Sequence, residues 1–314
     1  MARERLGGVG VTGLTRLSAG ATQEIWKFFL VNEGGQVPLI LRRAPGGMRV
    51  SETAVGLEFE ARLIEAAAAA GVPAPPVRWV LTPDDGLGHG FIMDFVEGET
   101  LGGRIARGDA LAAARPLLAR QCGEILARIH SLDPAAFPTL SRLAPAEQVE
   151  TLKQAYRTSG WPRPVFELAL RWLADRCPPP PERPRLVHGD FRNGNLVVGP
   201  DGVRAVLDWE LAHVAEPMED LGWICVNSWR FGELERPVGG FGMREDLWAG
   251  YEAAGGVVNH VHAKFWEVFG TLRWGVMCAG MAAAFRVADP SVERAVIARR
   301  ASETEIDLMR LLAA

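Results

Sequence analysis

Asp190 and Asn195 stand five residues apart in His188-Gly189-Asp190-Phe191-Arg192-Asn193-Gly194-Asn195-Leu196, and Asp208 follows in Ala205-Val206-Leu207-Asp208-Trp209-Glu210. All three polar side chains sit at the ends of short apolar runs. A carboxylate able to accept a hydroxyl proton, an amide five residues on and a second carboxylate from a neighbouring strand suit phosphoryl transfer, whose catalysis is mostly positioning and charge neutralisation. On that spacing Asp190 is the candidate base, and Asn195 and Asp208 are candidate magnesium ligands. Taken singly each segment says less, because an Asp in a turn is more often a cap or an Asx-turn. Together they are far more specific, since both are framed by strand-like sequence. Arg185 to Val187 precedes the first loop, Leu196 to Val198 follows it, and Arg204 to Leu207 leads into Asp208, with Gly199-Pro200-Asp201-Gly202 as turn chemistry between.

The elements that must position this loop follow from periodicity. Residues 9–43 read as β structure, with Asn32-Glu33-Gly34-Gly35 as a hairpin signal between Glu24–Val31 and Val37–Arg42. Ser18-Ala19-Gly20-Ala21-Thr22 is a turn of small residues whose amides could approach an anion, although read locally it is an ordinary hairpin turn. Residues 52–70 predict a helix with Leu57, Ala61, Ile64 and Ala68 on one face, stopped by Gly71 and the prolines beyond. Glu58 and Glu60 lie on it, and charges on such a helix are usually solvated. Val77–Leu81 and Gly90–Val96 read as two more strands, and Glu97-Gly98-Glu99 marks the change to helix-rich sequence. A long helix is expected over 110–130 with Leu117, Cys122, Ile125, Leu126 and Ile129 inward, and others over 243–254, 261–285 and 290–312, the last capped by Asp289-Pro290. Five prolines between Pro178 and Pro184 make a stiff connector into the candidate catalytic strand.

The bulk properties narrow the field. A chain of 314 residues allows two lobes sharing a cleft. A net charge of −4 argues against a general nucleic-acid binder. The opening Met1-Ala2-Arg3-Glu4-Arg5 runs into glycines and not an apolar signal region, and the Ala-rich stretch 274–285 is too short to span a membrane. The expectation is a soluble cytoplasmic protein with no membrane or nucleic-acid partner, and a homodimer stays open. Cys122, Cys177, Cys225 and Cys278 are widely spaced, which suits buried thiols better than zinc ligands. Lys27, Lys153 and Lys264 are the only lysines, against thirty-one arginines.

A β-rich N-terminal part with one helix, a linker, and a helical part carrying His-Gly-Asp, Asn and Asp at these spacings resembles the aminoglycoside phosphotransferase and choline kinase-like family. More narrowly, His188–Leu196 with Leu207–Trp223 resembles the branch fused to acyl-CoA dehydrogenases. The resemblance runs from about Leu14 to about Ala284. It implies an α+β, protein-kinase-like bilobal fold: residues 1–97 as a nucleotide-binding lobe with an antiparallel sheet and one helix, residues 98–314 as a mainly helical catalytic and substrate-binding lobe. It further implies ATP or GTP with Mg2+, and a small-molecule hydroxyl as acceptor.

Carried across residue by residue, the resemblance makes Asp190 the base and Asn195 and Asp208 the magnesium ligands. Ser18, Ala19, Gly20, Ala21 and Thr22 match the phosphate-covering loop, Met93, Asp94 and Phe95 the purine-binding hinge, and Glu60 the helix carboxylate that pairs with a strand lysine. That lysine is absent: Leu39-Ile40-Leu41-Arg42 puts Arg42 in its place, and strand alternation sends Ile40 and Arg42 to one face and Arg43 to the other. Arginine clamps phosphate bidentately but is not equivalent to lysine. Arg192, Glu210 and Trp223 are candidates on the acceptor side, with ion pairing an equal reading for Arg192 and loop ordering another for Glu210. Asp220 is expected to order the loop. Core packing is the better reading for most of Trp223, Trp229, Trp266 and Trp274, and His260 and His262 read as solvated or capping. Acceptor candidates are a hydroxy acid or hydroxyacyl-CoA ahead of an aminoglycoside. The alternative is a nucleotide-binding pseudokinase with a regulatory role.

Overall fold

The computed structural model describes residues 5–17, 23–44, 55–287 and 292–313. Strands β1 (Gly10–Leu17), β2 (Glu24–Asn32), β3 (Gly35–Arg43), β4 (Val77–Val80) and β5 (Gly90–Asp94) form one antiparallel sheet in the order β1-β2-β3-β5-β4. The β2–β3 turn is the expected hairpin: the Asn32 side chain accepts from Gly34 N–H at 3.0 Å. Alternation then sorts the side chains. Phe28, Leu30, Leu39, Leu41 and Ile92 bury in one cluster, while Ile40, Phe91 and Met93 join the main core against helix α1 (Leu57–Ala69). Arg42 lies with Ile40 on the core side. Arg43, on the opposite side, reaches Glu24 at 2.8 Å.

Leu57, Ala61 and Ile64 of α1 are buried as expected, and so is Glu60, but the stripe continues through Leu63 and Ala67 and leaves Ala68 exposed. A second stripe position corrects likewise. The expected helix over 110–130 is a 3₁₀ turn, Asp109–Leu111, and a helix only from Arg115, with Pro116 in its first turn. Leu117 is 50% exposed and Leu118 takes the core position. Leu117 precedes Cys122 by five residues, about 140° around the helix, whereas Leu118 precedes it by four and shares its face.

The C-terminal part is helical: α2 (Gly102–Arg107), α3 (Arg115–His130), α4 (Pro145–Thr158), α5 (Pro164–Asp175), α6 (Met218–Trp223), α7 (Arg244–Ala253), α8 (His260–Val287), α9 (Val292–Ala298) and α10 (Ala301–Ala313). The helix expected over 290–312 is thus two, and Asp289 and Pro290 lie outside the described residues. No Gly or Pro marks the break. There Arg300 N–H bonds back to Ile297, and its side chain reaches the Ser228 carbonyl at 3.2 Å. Two short ladders carry the site: β6 (Arg185–Val187) with β9 (His213–Ala215), and β7 (Leu196–Gly199) with β8 (Gly202–Val206), both antiparallel. The linker joins them directly, because Glu99 and Val198 exchange backbone hydrogen bonds at 2.8 and 3.0 Å.

Helices α3 and α7 approach closely where glycines face backbone. A Cβ on Gly123 would lie 2.0 Å from the Leu247 carbonyl oxygen, and one on Gly250 2.0 Å from that of Arg120. This contact brings Tyr251 to His130, whose Nδ1 lies 2.9 Å from the phenol oxygen. Cys122, Cys225 and Cys278 are buried free thiols, as expected, and Cys177 is partly exposed. No described helix is long and apolar enough to cross a membrane.

Candidate active site

The loop bearing Asp190 hangs from one buried carboxylate. Asp220, on α6 and fully buried, accepts from His188 N–H at 2.7 Å and Gly189 N–H at 2.9 Å, and lies 3.1 Å from His130 Nε2. Burial would raise its pKa, but the His130 hydrogen bond and the two imidazoles hold it below the usual carboxylate range. Gly189 has φ +79°, and a Cβ there would sit 2.3 Å from the Leu211 carbonyl, so the turn admits only glycine without movement. His188 joins the two halves of the site. Asp190 N–H points at its Nδ1 at 3.2 Å, which leaves the proton on Nε2 to donate to the Leu207 carbonyl at 3.1 Å. Burial pushes its pKa down, in keeping with that neutral ring.

Asp190 and Asn195 are in direct contact. The Asn195 amide nitrogen lies 2.9 Å from the Asp190 carbonyl and 2.7 Å from its Oδ2. Two acceptors on one side fix the amide's orientation and turn its oxygen the other way. Leu207 N–H donates to the Asn195 carbonyl at 2.8 Å, which brings Asp208 alongside. Asp208 adopts φ +68°, a left-handed conformation that Asp tolerates better than most residues. Its Oδ1 accepts from Arg42 Nη2 at 2.6 Å. Among the described residues no three His, Cys, Asp or Glu side chains gather as a metal cage. The Asn195 amide oxygen and Asp208 Oδ2, on segments joined by the Leu207–Asn195 backbone bond, are nevertheless hard oxygen donors. Mg2+, which keeps several waters and takes the rest of its shell from phosphate, fits such a pair.

Arg42 is the hub between the two lobes. Besides Asp208 it meets Glu60 at 3.1 Å and Glu210 at 3.7 Å, and its Nε donates to the Gln23 side chain. Burial disfavours its charge, but Glu60 and Asp208 outweigh that and raise its pKa. Glu60 is fully buried. Burial, with Asp208 and Glu210 nearby, pushes its carboxyl up to about 7 against the pull of Arg42 and the Trp209 N–H. Glu210 is likewise raised, by burial first and then by Asp208. Glu210 therefore belongs to the Arg42 end of the site and not to the acceptor side. It also binds the Gln23 amide at 3.1 Å, and its carbonyl accepts from Val55 N–H.

On the other flank, Asp190 is covered. Arg192 Nε lies 3.0 and 3.1 Å from its two oxygens, and the Trp223 indole N–H donates to Oδ1 at 2.8 Å. Trp223, Trp229 and Trp274 then run as a tilted aromatic stack with centroids 5.2 and 4.9 Å apart. Arg192 lies over Trp229 and Arg273 over Trp223. Trp266 is core, as expected.

At the hinge, Asp94 N–H bonds the Pro76 carbonyl at 2.9 Å and Phe95 N–H that of Pro38 at 3.1 Å. Those two amides are engaged at the strand edges, so a purine at this hinge would have to use its backbone carbonyls or neighbouring amides. Met93 faces the core within β5, the Asp94 carboxylate is held by Arg78 at 2.6 Å, and the Lys27 ammonium lies 3.5 Å above the Phe95 ring. Ser18, Ala19, Gly20, Ala21 and Thr22 lie outside the described residues. His260 is exposed, as expected, and packs edge-on against Trp248, whereas His262 is partly buried and its Nδ1 contacts the Glu216 carboxylate. Sequence reasoning missed Gln23, His130 and the Trp223–Asp190 bond. No local pattern marks them, because their partners lie tens of residues away.

This bilobal arrangement, with an Asp–Asn–Asp cluster opposite an Arg–Glu pair, defines a kinase-like class. Residues 13–256 match the model of the phosphotransferase enzyme family, known as APH, and the chain belongs to that family. It is 32% identical over 201 residues to acyl-CoA dehydrogenase family member 10 of Mus musculus, covering 60% of this chain and 18% of that protein. The chain thus spans only a small part of the length of this curated relative. Among solved structures, it resembles a Ralstonia eutropha protein assigned to the aminoglycoside phosphotransferases, at 23% identity and TM-score 0.72, covering 95% and 92% of the two chains. It also resembles spectinomycin phosphotransferase in complex with ADP and spectinomycin, at 13% identity and TM-score 0.66, covering 96% and 94%. These likenesses show the fold.

Proposed function

We propose that this chain transfers the γ-phosphoryl group of ATP or GTP to a hydroxyl of a small molecule, with Mg2+ held by Asn195 and Asp208. The observation that carries the reading is the direct contact of Asn195 with Asp190 and of Asp208 with Arg42, which brings a base, two oxygen donors and a cation to one cleft. Mg2+ when bound would neutralise charge on the β- and γ-phosphates. Arg42, steadied by Glu60, would hold the α/β side of the triphosphate, giving up its bond to Asp208. Asp190 would orient the acceptor hydroxyl and take its proton as the oxygen bonds to the γ-phosphorus. The bond to the β–γ bridging oxygen breaks, and nucleoside diphosphate leaves.

Both oxygens of Asp190 already accept two hydrogen bonds, so an incoming hydroxyl must displace one donor. Arg192 is the exposed one, at 26%, whereas Asn195 and Trp223 are buried. Arg192 is therefore the group that yields. Its guanidinium, with Arg273 beside Trp223, suits an acceptor carrying an anion, such as a hydroxy acid or a hydroxyacyl-CoA thioester, better than a polycationic aminoglycoside. Incubating the protein with Mg·ATP and a panel of hydroxylated acids tests this. ATP-dependent product should appear with wild type and vanish with a folded Asp190→Ala variant, and equal turnover in that variant would remove the assignment. The Arg42–Asp208 bond favours one other reading, a nucleotide-binding regulator without turnover. Mg·ATP raising the melting temperature while no acceptor consumes it would favour that.

A further inference from the structure

A cavity of about 610 Å³ lies apart from the cleft just described. It opens on the far side of α6. Asp220 and Trp223 on one face of that helix serve the catalytic loop, whereas Leu221 and, beyond its end, Cys225 face the cavity. Its floor is an ion triad. Arg244 Nη2 binds both oxygens of Glu267 at 2.7 and 2.8 Å, and Arg230 Nη2 binds the same carboxylate at 3.0 Å. Glu267 is 4% exposed, so two guanidiniums share one buried carboxylate, and with Glu235, Asp307, Lys264 and Arg310 the lining carries four cations against three carboxylates.

Further cations line the space. Lys264, one turn before Glu267 on α8, has no ion-pair partner among the described residues. Arg310 reaches Asp307 only at 3.8 Å. The Asn227 amide nitrogen is bound by Asp307 at 2.8 Å, while its buried oxygen accepts nothing. Leu221 and Trp248 supply an apolar wall. A cavity of this size with a few convergent polar groups is the usual form of a small-molecule site. Its unmet needs are an anion for the one excess cation and a donor for Asn227.

We propose that this cavity is a second site, separate from the catalytic cleft, that binds a hydroxylated organic anion. The acid group would lie between Lys264 and the Arg230–Arg244 pair, and a hydroxyl would donate to the Asn227 oxygen. The proposal stands whether or not the catalytic reading does, since no residue is shared.

Calorimetry on the full chain tests it with two probes, inorganic phosphate as the bare anion and 6-phosphogluconate as a hydroxylated one. Saturable binding is expected, tighter for 6-phosphogluconate and weakened about tenfold or more by Lys264→Met. It should be unchanged by Asp190→Asn and by added Mg·ATP, with both variants melting as wild type does. No saturable binding of either probe would overturn the proposal. So would binding indifferent to Lys264→Met, or binding lost in Asp190→Asn or displaced by nucleotide.

Discussion

Replacing Arg42 with Met should change the pH dependence of stability, chiefly through the loss of the Arg42–Glu60 pair. In the wild type the Glu60 carboxyl moves from 4.5 when unfolded to about 7 in the fold. A carboxyl whose folded pKa is raised keeps its proton to higher pH in the native state. Its contribution is therefore fully present below pH 4.5 and is lost as pH rises to 7. At about 1.4 kcal/mol per pH unit, that loss is about 3 kcal/mol, after which the wild type levels off. Removing the guanidinium takes away the one nearby cation that favours ionisation, so Glu60 titrates higher still. The variant then continues to lose about 1.4 kcal/mol between pH 7 and pH 8, where the wild type does not. Below pH 6, Glu60 is neutral in both and the gap narrows to the lost hydrogen bonds and packing. Urea unfolding of the two proteins from pH 5.5 to 8.5, with m-values checked for constancy, measures this directly. A gap independent of pH would refute the reasoning. A Glu60→Gln, Arg42→Met double variant should remove most of the widening, leaving the share carried by Glu210.

Other expectations can be read from the same contacts. Trp223→Phe keeps the packing but deletes the indole N–H to Asp190, a hydrogen bond to a charged group worth about 1.5–3 kcal/mol. Steady-state kinetics should show kcat lowered tenfold or more with the nucleotide KM unchanged, and an equal rise in KM would contradict a role at the base. Asp220→Asn puts a donor against one of two buried N–H groups, at about 1–3 kcal/mol per unsatisfied group, seen as an earlier urea midpoint together with lost turnover. Arg192→Ala uncovers Asp190, so an anionic acceptor's KM should rise while slow nucleotide hydrolysis persists. Loss of that hydrolysis would make Arg192 part of the phosphate site instead.

The fold and the heart of the site were legible because they rest on local pattern. Alternation along Leu39-Ile40-Leu41-Arg42 is enough to turn Arg42 toward α1, and the Asp190-to-Asn195 spacing is enough to close that loop on itself. What stayed hidden depends on tertiary contact. Glu60 is picked out only by the resemblance, since on its own helix it looks like any charge and its burial depends on β3 and the Trp209 backbone closing over it. Glu210, beside Asp208 in sequence, reads as an acceptor-side group, yet the turn at Asp208 throws it back toward Arg42 and Gln23. At the hinge, likewise, a strand edge read from sequence does not reveal which amides the sheet has already engaged. Leu117 and Ala68 missed by one residue, enough on a helix to exchange core for solvent.

The central claim is that Asn195, Asp208 and Asp190 converge on the end of a nucleotide triphosphate. A crystal structure of the chain with Mg2+ and a non-hydrolysable ATP analogue tests it most directly. One divalent cation held by the Asn195 amide oxygen and the Asp208 carboxylate, with the γ-phosphate facing Asp190, is the predicted result. A cation bound elsewhere, or a triphosphate directed away from Asp190, would contradict the account.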